Sequence, residues 1–246
     1  MSYYIPLFDI DSTLLGGDNH VHDNAFDYVF TNIYELSGVH KKDINTIGMT
    51  DRQIIYEILQ SHSVPKGIIT SKIDLATSTM AEYFYQHEIE SKYTLLPGVL
   101  GILNKLKNLK IPMGLLTGNF EKIAWRKLKL AGIEQYFSFG GFGDSSIYRS
   151  DLIPIAKKNA ELFLKTSLNF KDLIIIGDSL LDIKCAKAGG IFCIAVATGN
   201  VPYDVLLQAQ PELAIHTLEE QAIFLELINY NPHNIGDNSI SLSNTK

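Results

Sequence analysis

The apolar positions of this chain fall into three successive styles, and their order predicts its architecture. First comes a strand-forming run over residues 3–8, interrupted by Pro6. Proline has no backbone donor and is tolerated in a central strand only near its start, so two-sided pairing is expected from about Leu7. The run ends in Asp9 and Asp11, which share one side of an extended chain. Gly16-Gly17-Asp18-Asn19-His20 then reads as a loop.

From about residue 24 to residue 90 the apolar spacing is helical. Phe26, Val29, Phe30, Ile33 and Leu36 share one face, and Ser37-Gly38 closes that helix. A second helix is predicted over 50–62, with Ile54, Ile55, Ile58 and Leu59 inward and Thr50 or Asp51 as its N-cap. A third, longer one carries Ile69, Ile73, Ala76, Met80 and Phe84. No strand pattern interrupts this block, so it reads as a separate helical subdomain between Gly16-Gly17 and Leu96-Pro97-Gly98.

Beyond Pro97, helices and strands alternate. Strands are predicted over 111–116, 137–142, 173–176, 192–196 and 213–215. Helices are predicted around Val99 to Leu106, then over 120–131, 151–165, 182–188 and 218–228. Unbroken apolar strands between amphipathic helices predict a parallel sheet covered on both faces. The fold class is α/β: a Rossmann-like parallel-sheet core, residues 1–16 and 96–230, with an all-helical cap, residues 17–95, inserted after the first strand. Residues 231–246, rich in Asn and Ser and without periodicity, are expected to form a flexible tail.

Composition narrows the possibilities. With 246 residues, 46% of them hydrophobic, the chain can bury one large core and a small satellite. A net charge of −6 without a basic run argues against a nucleic-acid partner. No apolar stretch is long enough to span a bilayer, and the chain begins without a basic leader and apolar segment. The expectation is a cytoplasmic protein with no membrane partner, either a monomer or a small homo-oligomer. Cys185 and Cys193 lie in apolar segments without metal-ligand spacing and read as reduced core thiols.

In open parallel sheets ligands bind beyond the carboxyl ends of the strands. The residues at those ends are Asp9 and Asp11, then Thr117-Gly118-Asn119, then Arg149 after the third strand, and Asp178 with Asp182. Converging carboxylates destabilise one another unless a cation joins them, and an oxygen-only donor set suits Mg²⁺. A helical insertion leaving from the same edge would sit over them as a lid.

Together these motifs resemble the haloacid dehalogenase-like hydrolase superfamily, in its phosphoglycolate phosphatase-like branch with a helical cap after the first strand. Asp9-Ile10-Asp11-Ser12-Thr13-Leu14-Leu15 matches the first motif and Leu115-Leu116-Thr117-Gly118-Asn119 the second. Gly177-Asp178-Ser179-Leu180-Leu181-Asp182 matches the fourth, continued by Ala186-Lys187-Ala188-Gly189. The third motif departs from the family's usual lysine: Arg149 is the best-placed cation, with Lys157 and Lys158 as alternatives expected to face solvent. Ser12 stands where glycine is usual, and little consequence is expected.

The resemblance implies a Mg²⁺-dependent hydrolase of a small phosphorylated metabolite that works through an aspartyl-phosphate. Asp9 would be the nucleophile and Asp11 the acid–base, while Thr117 and the amides near Ser12 and Gly118 would bind the phosphoryl group. Arg149 would balance charge. Asp9, Asp178 and the main-chain carbonyl of Asp11 would hold the metal, with Asp182 helping directly or through water. Asn119 belongs to the same substrate-binding set. So do Thr50, Asp51 and Arg52 of the cap, for which helix capping by Thr50 or Asp51 is the competing reading. Alternatives are a phosphomutase of the β-phosphoglucomutase type and a catalytically weak phosphate-binding relative. His20 and His22 read as loop residues, Trp125 and Arg126 as packing and solvated positions, and Tyr83, Phe84 and Tyr85 as cap core.

Overall fold

A computed structural model describes residues 3–229 of the chain, so the tail expected over 231–246 lies outside the described residues. The elements begin with strands β1 (Ile5–Phe8) and β2 (Leu15–Asp18), followed by helices α1 (His20–Asn32), α2 (Asp51–Ser61) and α3 (Lys66–His87). Strand β3 (Lys92–Leu95) precedes α4 (Val99–Asn108), β4 (Met113–Leu116), α5 (Glu121–Leu130) and β5 (Phe137–Gly141). The chain continues through α6 (Leu152–Leu164), β6 (Leu173–Gly177), α7 (Leu180–Gly189) and β7 (Phe192–Val196). It ends in α8 (Tyr203–Gln208), β8 (Leu213–Ile215) and α9 (Gln221–Ile228).

Six strands form one parallel sheet in the order β5-β4-β1-β6-β7-β8, which places β1 at the centre. Pairing with β6 runs the length of β1, while pairing with β4 begins at Leu7. Two-sided pairing thus starts one residue after Pro6, where proline's missing donor is tolerated. The strands are apolar on both faces because both are covered. Phe8, Ile174, Ile176, Ile194 and Val196 enter one apolar cluster. Ile5, Leu7, Leu173, Ile175 and Cys193 enter the other, which also takes Cys185. Both thiols are free and buried.

The helices α1, α2 and α3 have an apolar cluster of their own around Phe26, Phe30, Ile55, Ile58 and Phe84. Phe120 and Ile123, at the start of α5, complete it, while Ala124 and Leu128 of the same helix pack into the sheet cluster. Helix α5 is therefore shared between the two bodies. Thr50 caps α2, its hydroxyl accepting from the Gln53 amide at 3.0 Å.

Two differences from the sequence reading have local causes. The stretch read as a glycine loop is β2, which pairs antiparallel with β3 where the chain enters and leaves the helical block. Gly17 has φ of 112°, and a Cβ there would collide with the Lys92 carbonyl, so the glycine is what lets the ribbon close. A four-residue strand containing two glycines shows no alternation to read. Helix α8 escaped for a similar reason: only Leu206 of its six residues is buried. Among the described residues no helix is long and apolar enough to cross a membrane.

The separate cluster makes a clean stability prediction. Phe84→Ala, at a fully buried ring, should lower the unfolding free energy by about 3–5 kcal/mol in urea titrations. Leu75→Ala, on the same helix but 55% exposed, should stay within about 0.5 kcal/mol of the unaltered protein.

Candidate active site

Asp9 follows β1 directly, and its amide continues the ladder to the Ile176 carbonyl at 2.9 Å. The chain then turns sharply. Ser12 adopts φ of 63°, the left-handed region, with its amide donating to Leu15 O and its carbonyl accepting from the Thr198 hydroxyl at 2.6 Å. An L-residue pays about 1–2 kcal/mol in this region and glycine does not, so Ser12 is a strained replacement rather than a neutral one.

Arg149 occupies a single helical turn just before α6 and is buried. Its Nη2 lies 3.2 Å from Asp9 and 2.6 Å from Asp182, and also donates to the Leu116 carbonyl. Its Nη1 donates to Gly48 O in the helical block at 3.3 Å. A guanidinium fork can serve all four acceptors, which a single ammonium point charge cannot do from one place. Lys157 instead pairs with Glu161, and Lys158 borders a distant surface hollow.

Asp182 is the N3 residue of the α7 capping box. Its Oδ2 accepts from the Ser179 amide and hydroxyl, and its Oδ1 from Arg149. Asp178 accepts from the Thr13 hydroxyl at 3.1 Å. Oxygens of Asp9, Asp178 and Asp182 all lie within 4.8 Å of one another. Burial, then the charges of Asp9 and Asp182, push the Asp178 carboxyl up to about 8. Burial raises Asp9 to about 6 even though Arg149 opposes it. Of these three buried carboxylates, Asp9 and Asp182 contact the guanidinium of Arg149, and Asp178 does not. The deficit of positive charge and the all-oxygen donors fit a hard divalent cation.

Asp11 points elsewhere. Both its oxygens accept from Lys127 Nζ, at 2.9 and 2.7 Å, while Asn19 and Asn119 side-chain amides donate to one oxygen each. Burial, the largest single influence, would raise this carboxyl, but the Lys127 charge, the neighbouring His22 and the hydrogen bonds from Lys127 and Asn119 together outweigh it and hold the group well below the usual carboxylate range. Lys127 is wholly buried and its Nζ also lies 3.1 Å from His22 Nδ1. An ammonium only donates, so Nδ1 accepts and the ring proton sits on Nε2, which faces Asp51 Oδ2 at 3.1 Å. Asp51 in turn accepts from the Phe120 amide, and its own amide donates to Gly118 O. A Cβ on Gly118 would collide with the Met49 carbonyl, so this close seating of the helical block requires glycine.

A cavity of about 230 Å³ opens over these groups, lined by Asp9, Asp11, Ser12, Asp51, Gly118, Asn119, Arg149 and Asp178 among others. Four sequence candidates stand outside its lining. Thr117 is buried, its hydroxyl accepting from the Asn119 amide groups. Thr50 caps α2 and donates to the 146–147 carbonyls. Asp182 braces Arg149. Arg52 pairs with Asp74 at 3.6 Å and borders a different groove with Glu121 and Lys122.

Two further residues correct the sequence reading. His22 is not a loop residue but a buried position of α1. Lys127 was not singled out at all. Both had a visible signal: His22 shares the stripe of Phe26 and Val29, and Lys127 that of Ile123, Ala124 and Leu128. A polar group on a buried stripe needs a partner, and these two provide for each other.

The model of the haloacid dehalogenase-like hydrolase family matches residues 6–196. A phosphoglycolate phosphatase of Yersinia pestis is 27% identical over 142 residues, which are 56% of this chain and 59% of that protein, so the match spans under two thirds of that relative. Phosphoglycolate phosphatase 1 of Pseudomonas aeruginosa is 26% identical over 223 residues, 88% of this chain and 77% of that one. The crystal structure of a predicted phosphatase from Clostridium acetobutylicum superposes with a TM-score of 0.67 at 20% identity, covering 92% of this chain and 99% of that chain, a likeness of fold. With the family match running from the first strand to the fifth core strand, the chain belongs to the haloacid dehalogenase-like hydrolases.

Proposed function

We propose that this protein is a Mg²⁺-dependent phosphatase of a small phosphomonoester, similar to phosphoglycolate phosphatases, and that it works through an aspartyl-phosphate on Asp9. The observation that carries this reading is the placement of Asp9: a buried carboxylate on the cavity wall, beside Arg149 and within the Asp178–Asp182 cluster. The helical block acts as a cap over this cavity. The cavity's volume of about 230 Å³ falls below the roughly 300–1,000 Å³ of drug-sized sites, which suits a small phosphorylated metabolite.

An Asp9 oxygen attacks phosphorus as the bond to the leaving oxygen breaks, giving the aspartyl-phosphate. Lys127 holds Asp11 as a carboxylate, the form that takes a proton from the water that hydrolyses the intermediate; to protonate the leaving oxygen in the first step Asp11 has to leave the Lys127 contact and take up a proton first. Arg149 offsets charge on Asp9 and on the phosphoryl group. The amides near Ser12 and Gly118 orient the phosphoryl oxygens, while the side-chain amide of Asn119 donates to Asp11 and Thr117 and so holds Asp11 in place. Asp9, Asp178 and the main-chain carbonyl of Asp11 would hold Mg²⁺, with Asp182 supporting them indirectly because Arg149 and Ser179 occupy both its oxygens. The ion would neutralise charge on the phosphoryl oxygens, which is the main demand of this reaction.

Asp9→Asn should reduce Mg²⁺-dependent release from p-nitrophenyl phosphate by at least about a thousandfold; release at the original rate from this variant contradicts the reading. Arg149→Met leaves Asp182 buried without its cation, and should lower the unfolding free energy by about 3–5 kcal/mol while also slowing turnover.

The pH dependence follows from the raised carboxyls. Asp9 and Asp178 titrate near 6 and 8 in the folded chain against an ordinary value of 3.8. The folded state therefore holds more protons than the unfolded one between those values, and stability falls as pH rises through that window. Without divalent ions, melting temperature should be lower at about pH 8 than at about pH 5, and Mg²⁺ should raise it more at the higher pH, where fewer protons compete. A pH-independent Mg²⁺ increment in differential scanning fluorimetry would count against the assignment.

A further inference from the structure

A buried hydrogen-bonding atom without a partner calls for one. Three such atoms belong to residues that line the cavity over Asp9 and Asp11: Asn19 Oδ1, Asn119 Oδ1 and Arg149 Nε, each unpartnered among the described residues. Asp11 dictates how the two carboxamides are turned. Lys127 holds it ionised, and a carboxylate can only accept. Each carboxamide therefore presents its NH2 group to Asp11, Asn19 to Oδ1 at 3.0 Å and Asn119 to Oδ2 at 2.8 Å. Asn119 turns the same NH2 group toward the Thr117 hydroxyl at 3.0 Å. Both carboxamide oxygens are left beside Asp11 as acceptors with nothing to accept.

The unpartnered atoms describe the ligand they would suit. Arg149 Nε is a donor on the side chain that faces Asp9, and it matches a phosphoryl oxygen. The two carboxamide oxygens flank Asp11, where the proposed reaction releases the leaving oxygen. A proton donor close to that oxygen is what they lack. A carboxylate at that place brings no proton and would face two more acceptors. An ammonium brings protons, but Lys41 lines the same cavity and would repel it. Lys41 itself does not call for an anion, because its Nζ donates to Asp23 at 2.7 Å and lies 5.2 Å from the centre of the Phe26 ring. A hydroxyl satisfies the oxygens without either conflict.

We infer that the substrate is a phosphomonoester whose leaving group carries a hydroxyl on the carbon next to the phosphorylated one, as in a polyol or sugar phosphate, and that Asn19 and Asn119 select it. The inference rests on the phosphatase reading above and narrows its substrate to a neutral, hydroxylated class. 2-Phosphoglycolate, with a carboxylate at that position, falls outside the class.

Three two-carbon substrates that all leave as alkoxides test it: 2-hydroxyethyl phosphate, ethyl phosphate and 2-phosphoglycolate. With Mg²⁺, kcat/KM for 2-hydroxyethyl phosphate should exceed that for each of the others by about tenfold or more, the scale of a buried acceptor left unpaired. Asn19→Ala should reduce the ratio of 2-hydroxyethyl to ethyl phosphate by about threefold or more, and so should Asn119→Ala. Asn19 is the less buried of the two, so its variant serves if the Asn119 variant does not fold. If the carboxamides only hold Asp11 in place, both substrates lose equally and the ratio stays where it was. That outcome overturns the inference, as does an unaltered protein that treats 2-hydroxyethyl and ethyl phosphate alike. Preference for 2-phosphoglycolate also overturns it and makes Lys41 the recognition element. Turnover of p-nitrophenyl phosphate without turnover of any of the three overturns it too, and in all these cases the phosphatase reading stands. If none of the four is hydrolysed, both fall.

Discussion

Electrostatic crowding at the carboxyl edge of the sheet is the constraint on which the rest of this structure depends. Asp9, Asp178 and Asp182 are buried close together, and the guanidinium of Arg149 is what lies among them. Such a cluster is tolerable only if the fold supplies compensation or an ion does. The fold supplies part of it: Asp182 is satisfied by the start of α7 and by Arg149, which fixes the guanidinium against Asp9. Among the described residues the Thr13 hydroxyl is the side-chain partner of Asp178, and burial with the charges of Asp9 and Asp182 raises its carboxyl. A site that is incomplete in this way is suited to gathering a cation and a phosphoryl group together.

The two aspartates of the first motif, two residues apart, are kept distinct by separate cations. Arg149 faces Asp9 from the sheet side. Lys127 faces Asp11 from α5, a helix whose apolar residues are divided between the sheet and the helical block. A nucleophile and an acid–base group need different environments to do different work with the same carboxyl. For the roles proposed for Asp9 and Asp11, that difference comes from the cation each one faces. Asp9 is tied to the sheet through the Ile176 carbonyl and to Arg149, which also donates to Gly48 of the block, whereas Asp11 reaches His22 of the block through Lys127.

Much of this was legible in the sequence because it is local. The unbroken run ending in Gly177-Asp178 reads as a buried strand with a polar tip, and the same logic located Asp9 and Asn119, while Arg149 was the best-placed cation for the family's third motif. The helices of the block announced themselves through Ile54 to Leu59 and through Ile69 to Phe84. What escaped was either too short to show a period, as with β2, β3 and α8, or depended on pairing across the chain. Lys127 lies 116 residues from Asp11 and 105 from His22. A lone charge on an apolar stripe says that a partner exists without saying which one. Arg52 failed in the opposite sense: its place in the segment suggested reach into the site, but the start of α2 turns it toward Asp74.

The account stands on covalent chemistry at Asp9, and the most direct measurement is to find the intermediate. Acid-quenched turnover of a phosphomonoester with Mg²⁺, followed by peptide mass spectrometry, should place a phosphoryl group on Asp9, with more of it in the Asp11→Asn variant because hydrolysis of the intermediate is slowed. A phosphoryl group on another residue, or none at all during sustained turnover, would contradict it.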